Sequence, residues 1–237
     1  MEYPIRINKY VALQGWASRR EADTLIEKGA ILINGKKAQM GQKVDKDDVV
    51  ELAGATKEKK YLAYYKGRGI ITHSPAEGET DIEMRLKKDY GITDVHPVGR
   101  LDKDSEGLII LSNDGRITGP LLDPDANHEK EYEVLVDKNV TGILTNNFAK
   151  GVDIEGYMTK PAKAVKSEKN ARKFTLILTE GKKHQIRRMC AACGYQVQSL
   201  KRNRVMNVEL GELKPNQFRK ITGPELAAFM KELGIKK

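Results

Sequence analysis

Apolar and polar positions alternate in short blocks along this chain, and the blocks predict a small helix-and-hairpin module followed by a longer mixture of strands and helices. Ile5, Lys9, Ala12 and Leu13 fall at helical spacing, with Gly15 as the end signal. Ser18-Arg19-Arg20-Glu21 is a capping box: the Ser18 hydroxyl can accept from the Glu21 amide, and the Glu21 carboxylate can reach back. The helix it opens runs to about Lys28, where Gly29 supplies a left-handed cap. Ala30 to Ile33 predicts a strand, Asn34-Gly35 a tight hairpin turn, and Val49 to Leu52 a strand that closes a small sheet. Ala53 to Lys60 carries small and charged residues without apolar spacing and reads as a linker. It divides the chain into residues 1–54 and residues 61–237.

The second part predicts a strand at Tyr61–Tyr65, a helix at Asp81–Leu86 and an extended stretch at Val95–Val98. Gly107 opens a continuous apolar run, Leu108 to Leu111, which the turn signal Asn113-Asp114-Gly115 ends. A short helix to Leu122, a strand from Tyr132, a helix at Val140–Lys150 and further strands through Ile177 follow. Ile186, Met189, Cys190 and Cys193 recur at helical spacing before Gly194, and Pro224 begins a terminal helix through Leu233. Many short strands with several helices indicate an α+β domain around an antiparallel or mixed sheet.

Charge adds a partner class. The 237 residues carry a net charge of +9, with a pI near 9.3, which suits an anionic partner such as RNA. Residues 5–37 hold seven basic side chains against three acidic. Lys160 to Arg204 holds thirteen against two, a local net of +11, so the rest of the chain is slightly acidic. Such concentration favours a polyanion-binding face over general solubility. The start resembles no signal peptide, and no stretch approaches the ~20 apolar residues of a membrane span. Only Cys190 and Cys193 are present, so a disulfide framework is excluded and a reducing cytoplasm is expected. A single Cys-x-x-Cys without a second ligand pair is too little for structural zinc, and both thiols fall on the apolar stripe.

The densest chemistry lies at residues 98–115, where Arg100, Asp102, Asp104, Ser105 and Glu106 crowd a loop that feeds the buried run. From spacing alone this is either a rigidly supported site or a solvated turn. Gly99-Arg100-Leu101-Asp102 with Asp104-Ser105-Glu106-Gly107-Leu108 resembles the signature loop of RNA pseudouridine synthases. The resemblance implies that Asp102 is catalytic and that Arg100 contacts substrate. Lys130-Glu131-Tyr132 is a second match and implies that Tyr132 packs against the target uracil; taken alone, that tyrosine reads as core. Gly181 to Met189 is a third and implies that Arg187 pairs with Asp102, a nearby cation favouring an ionised carboxylate; taken alone, Arg187 reads as surface. His184 reads as a flanking polar position, because the implied chemistry requires no histidine. Asn207 to Arg219 resembles the family's final motif, in which Leu210 helps wall the uracil pocket.

Ile5 to Lys36 resembles the alpha-L RNA-binding motif of the ribosomal protein S-four type. The RNA-binding set is then Arg6, Lys9, Arg19, Arg20, Lys28 and Lys36 in the module, with Lys182, Lys183 and Arg188 in the larger domain. The longer form of the loop, with His128-Glu129-Lys130-Glu131-Tyr132, resembles the RsuA family and within it the RluF-like branch, which acts on large-subunit (23S) ribosomal RNA. A monomer acting on a structured RNA, with no metal or organic cofactor, is expected. The same reaction on small-subunit RNA or a tRNA anticodon stem-loop is one alternative, and a non-catalytic ribosome-assembly protein is the other. The glycosidic bond would break, the base rotate and a carbon–carbon bond form. Whether Asp102 attacks the anomeric carbon or removes a sugar proton stays open.

Overall fold

The computed structural model describes residues 3–53 and 58–235. Residues 54–57, where much of the expected linker falls, lie outside the described residues. In the amino-terminal module β1 (Ile5–Arg6) leads into α1 (Ile7–Leu13), and α2 (Arg19–Glu27) follows. The capping box is formed: Glu21 N donates to Ser18 Oγ at 3.2 Å, and Ser18 N donates to Glu21 Oε2 at 3.0 Å. β2 (Ile31–Ile33) turns through Asn34 and Gly35, with φ of 52° and 73°, into β3 (Lys36–Lys37). β4 (Lys43–Val44) pairs with β1, and β5 (Val50–Leu52) pairs with β2. Ile5 is therefore a strand residue opposite Val44, not the start of the helix. The Ile7 amide is bonded to Gln42 O at 2.8 Å, which ties the helix start to the β3–β4 connection. Ile7, Val11, Ala22, Ile26 and Ile31 make the module's own core.

In the larger part the elements follow as β6 (Tyr61–Lys66), α3 (Ile82–Tyr90), β7 (His96–Val98), β8 (Glu106–Ser112), a 3-10 turn (Gly115–Ile117), α4 (Thr118–Leu122), β9 (Lys130–Val136) and α5 (Gly142–Lys150). Next come β10 (Lys163–Lys166), β11 (Lys173–Leu178), α6 (Gln185–Ala192), β12 (Val197–Val205), β13 (Val208–Glu209), β14 (Phe218–Lys220) and α7 (Gly223–Glu232). These strands build one mixed sheet in the order β10-β11-β9-β12-β8-β6-β14, with β7 added to β8 and β13 to β12. β12 and β8 run parallel, and the other pairings are antiparallel.

The continuous apolar run of β8 has a packing cause. Leu108 and Ile110 face one hydrophobic cluster, with Tyr65 and Val208, while Ile109 and Leu111 face another, with Tyr64 and Leu86. A central strand covered on both faces needs no polar side. β9 instead buries Tyr132, Val134 and Val136 on one face and half-buries Glu131 and Glu133 on the other. Register places Gly107, Arg202, Tyr132 and Leu176 in one row across β8, β12, β9 and β11.

The amino-terminal module meets the sheet where β8 ends. A β-carbon on Gly115 would stand 2.5 Å from the Ala12 carbonyl oxygen, and one on Gly15 would stand 2.6 Å from Asp114 Oδ1. Asp114 is buried there, bonded to the Arg116 guanidinium at 2.7 Å and to the Tyr61 hydroxyl. Among the described residues, no helix is long and apolar enough to cross a membrane.

Candidate active site

The loop from Arg100 to Asp104 is held by its backbone. Five successive carbonyl oxygens each accept a hydrogen bond, and the donors come from different parts of the chain. Arg202 Nη1 of β12 donates to Arg100 O at 3.5 Å. Thr72 Oγ1 donates to Leu101 O at 2.7 Å and accepts from Leu101 N at 3.0 Å. Ser105 N donates to Asp102 O at 3.0 Å, closing a tight turn. Lys103 O accepts from Gly69 N at 2.8 Å and from Lys66 Nζ at 3.3 Å. Arg187 Nη2 of α6 donates to Asp104 O at 3.4 Å. A loop gripped at every residue presents Asp102 from a rigid frame.

Lys66 sits beneath this loop. It is fully buried at the end of β6, and its ammonium also donates to Gly67 O at 3.1 Å and Ile70 O at 2.7 Å. Burial pushes its pKa down to about 8, against the opposing pull of the Asp102, Glu106 and Asp104 carboxylates. Arg202, almost as buried, donates Nε to Leu108 O at 2.7 Å. Thr72, Arg202 and Lys66 carry this geometry, and the sequence analysis singled out none of them for it. Lys66 did leave a signal, a lysine closing an otherwise buried run before Gly67. Thr72 and Arg202 left none.

Asp102 itself is open to solvent, its side chain 37% exposed. Its partner is His184, whose Nδ1 stands 3.2 Å from Oδ2. This corrects two expectations. Arg187 makes no ion pair with Asp102 among the described residues, because its guanidinium is occupied by Val197 O at 3.2 Å and Asp104 O. His184 is no bystander, because the residue ahead of α6 turns its ring toward the loop. Tyr132 lies beside Leu101 in the cluster under the loop and is 7% exposed. Leu210, 2% exposed, packs in a separate cluster from Tyr132, with Tyr65 and Val208. The Arg100 side chain is exposed.

The basic set divides. Arg6, Lys9, Arg19, Arg20, Lys28 and Lys36 are exposed and make no ion pair among the described residues, so their charge is free for phosphates. Lys183 is exposed too, and Lys182 lies over the Tyr157 ring at 4.7 Å. Arg188 differs in being paired: its Nη2 is bonded to Glu155 at 2.7 Å and Ile154 O at 2.8 Å. Cys190 is fully buried, and burial pushes its thiol up to about 12. Among the described residues, no three His, Cys, Asp or Glu side chains are placed to hold a metal ion.

Comparison with known proteins agrees with this picture. A family model for RNA pseudouridylate synthase matches residues 60–192, and an S4 domain model matches residues 5–50. Dual-specificity RNA pseudouridine synthase RluF of Escherichia coli (strain K12) is 39% identical over 96% of this chain and 79% of that protein. Ribosomal large subunit pseudouridine synthase B of Bacillus subtilis (strain 168) is 32% identical over 93% of each chain. A crystal structure of a pseudouridylate synthase superposes with a TM-score of 0.69 at 26% identity, over 97% of this chain and 99% of that one. Similarity of this extent, over a mixed sheet that carries a rigid aspartate loop, places the chain in the RNA pseudouridine synthase family, as an isomerase with an amino-terminal S4 domain.

Proposed function

We propose that this enzyme isomerises a uridine of large-subunit ribosomal RNA, with Asp102 as the catalytic carboxylate. The observation that carries the reading is the clamped loop: five held carbonyls that fix the backbone on which the Asp102 carboxylate stands. The substrate class is supported by the Bacillus relative named for the large ribosomal subunit. A hydrolytic glycosidase needs two carboxylates, because water must be activated and a leaving group protonated. Here the base stays bound and returns to the same sugar, so one carboxylate suffices. The uridine is taken out of its stack, at a cost of a few kcal/mol, and the Tyr132 ring offers a face to receive it. Residues 61–237 would hold this chemistry, and the exposed cations of residues 1–54 would grip the surrounding phosphates.

The test is pseudouridine mapping of total RNA from a strain lacking the enzyme, complemented by wild type or by Asp102→Asn. One large-subunit site should vanish on deletion and return with wild type alone. A lost site in small-subunit RNA or a tRNA would overturn the substrate assignment. Product formation by Asp102→Asn at even ~10% of the wild-type rate would overturn the catalytic one.

A further inference from the structure

His184 is held in an unfavourable backbone conformation for the sake of where its ring points. Its φ of 51° and ψ of 26° are left-handed, a region that residues other than glycine seldom adopt. The side chain recovers nothing locally, because it caps no amide of α6. Its ring goes to Asp102 instead.

The segment that carries it is locked from behind. Gln185, 4% exposed, donates Nε2 to the Glu180 carboxylate and accepts from Lys182 N at 2.8 Å. Glu180 is itself buried and takes the Tyr157 hydroxyl at 2.6 Å and Lys160 N at 3.0 Å. Arg188 N donates to His184 O at 3.0 Å, the first turn of α6. Across the gap, Asp102 sits on the loop whose carbonyls are held at every residue. Two rigid frames therefore meet at two contacts, His184 with Asp102 and Arg187 with Asp104 O, the Arg187 guanidinium being held by Val197 O as well.

We propose that His184 is the positioning residue of Asp102. Its Nδ1, 3.2 Å from Oδ2, fixes the rotation of the carboxylate and leaves Oδ1 to face the sugar. The proposal rests on Asp102 being the catalytic carboxylate, and the experiment separates the two.

Asparagine sets its amide nitrogen where histidine sets Nδ1, and it tolerates left-handed backbone. Glutamine sets its amide one bond farther out. Glycine removes the ring and relieves the strain. Single-turnover rate and RNA affinity are measured on large-subunit ribosomal RNA from a strain lacking the enzyme, for wild type, His184→Gly, His184→Asn, His184→Gln and Asp102→Asn. The glycine variant should bind RNA as wild type does and react about tenfold or more slowly at saturating RNA. Asparagine should recover most of that loss and glutamine should not. A wild-type saturated rate in the glycine variant, a loss confined to affinity, or equal rates for asparagine and glutamine overturns the positioning role. If Asp102→Asn stays active, the catalytic assignment falls instead.

Discussion

Gly107 and Arg202 lie side by side on parallel strands, with no room for a side chain between them. A β-carbon on Gly107 would stand 2.6 Å from the Arg202 amide nitrogen and closer still to its carbonyl oxygen. The residue also has φ of 108°, which L side chains rarely adopt. That approach brings β12 against β8 and lets the Arg202 guanidinium reach Leu108 O and Arg100 O. Gly107→Ala should force the strands apart and cost about 3 kcal/mol or more. Thermal denaturation checks this, and a melting temperature equal to that of wild type would show that the gap can open freely.

Lys66 predicts a pH effect of definite sign. Its folded pKa, about 8, lies below the ordinary 10.5. The folded chain gives up this proton before the unfolded chain does, so the lysine's contribution to stability becomes more favourable as pH rises from about 8 toward 10.5 and is constant below that window. Lys66→Met fills the same space without the charge. Urea unfolding of both proteins should show the wild type gaining ~2 kcal/mol relative to the variant between pH 7 and pH 9.5. A difference that does not change with pH would contradict the burial of a charged group there. The variant should also react more slowly, because Lys103 O loses one of its two donors and Ile70 O loses the Lys66 ammonium.

Arg187 touches the loop at Asp104 O and makes no ion pair with Asp102 among the described residues. Arg187→Met should therefore lower the saturated single-turnover rate, by about tenfold, with RNA affinity little changed. Arg187→Lys should not restore it, since one ammonium cannot replace a planar fork spanning Val197 O and Asp104 O. Full activity in the lysine variant would mean that charge alone matters at this position.

A chain beginning at Lys59 should still fold. The core of the amino-terminal module includes no residue beyond Leu52, and the module approaches the larger domain at Gly15, beside the polar Asp114–Arg116 ion pair, and at Ala12, beside Gly115. The truncated enzyme should bind RNA more weakly and with a flatter salt dependence, because the exposed module cations no longer meet phosphates. Its rate at saturating RNA should change little. Single-turnover kinetics at several salt concentrations decide this. A collapse of the saturated rate in a folded truncated protein would mean that the contact of Ala12 with Gly115 helps to shape the site.

What the sequence by itself determined is what neighbours decide. The capping box needs only Ser18 and Glu21, the hairpin only Asn34 and Gly35, and the end of α2 only Gly29, with φ of 66°. The loop around Asp102 was legible by its resemblance to a family, and the strand behind it by its continuous apolar run. The tertiary structure decided the rest. β12 reads Val-Gln-Ser-Leu-Lys-Arg-Asn-Arg-Val, without the alternation that marks a strand, yet it lies in the middle of the sheet. Its register shifts at two points against β9, and its place is set by backbone pairing with two strands distant in sequence. Arg202 can be buried there because Leu108 O and Arg100 O accept its protons. His184 meets Asp102 for the same kind of reason: the bonds that aim it run through Glu180, Tyr157 and Lys160, and periodicity along the chain carries no trace of them.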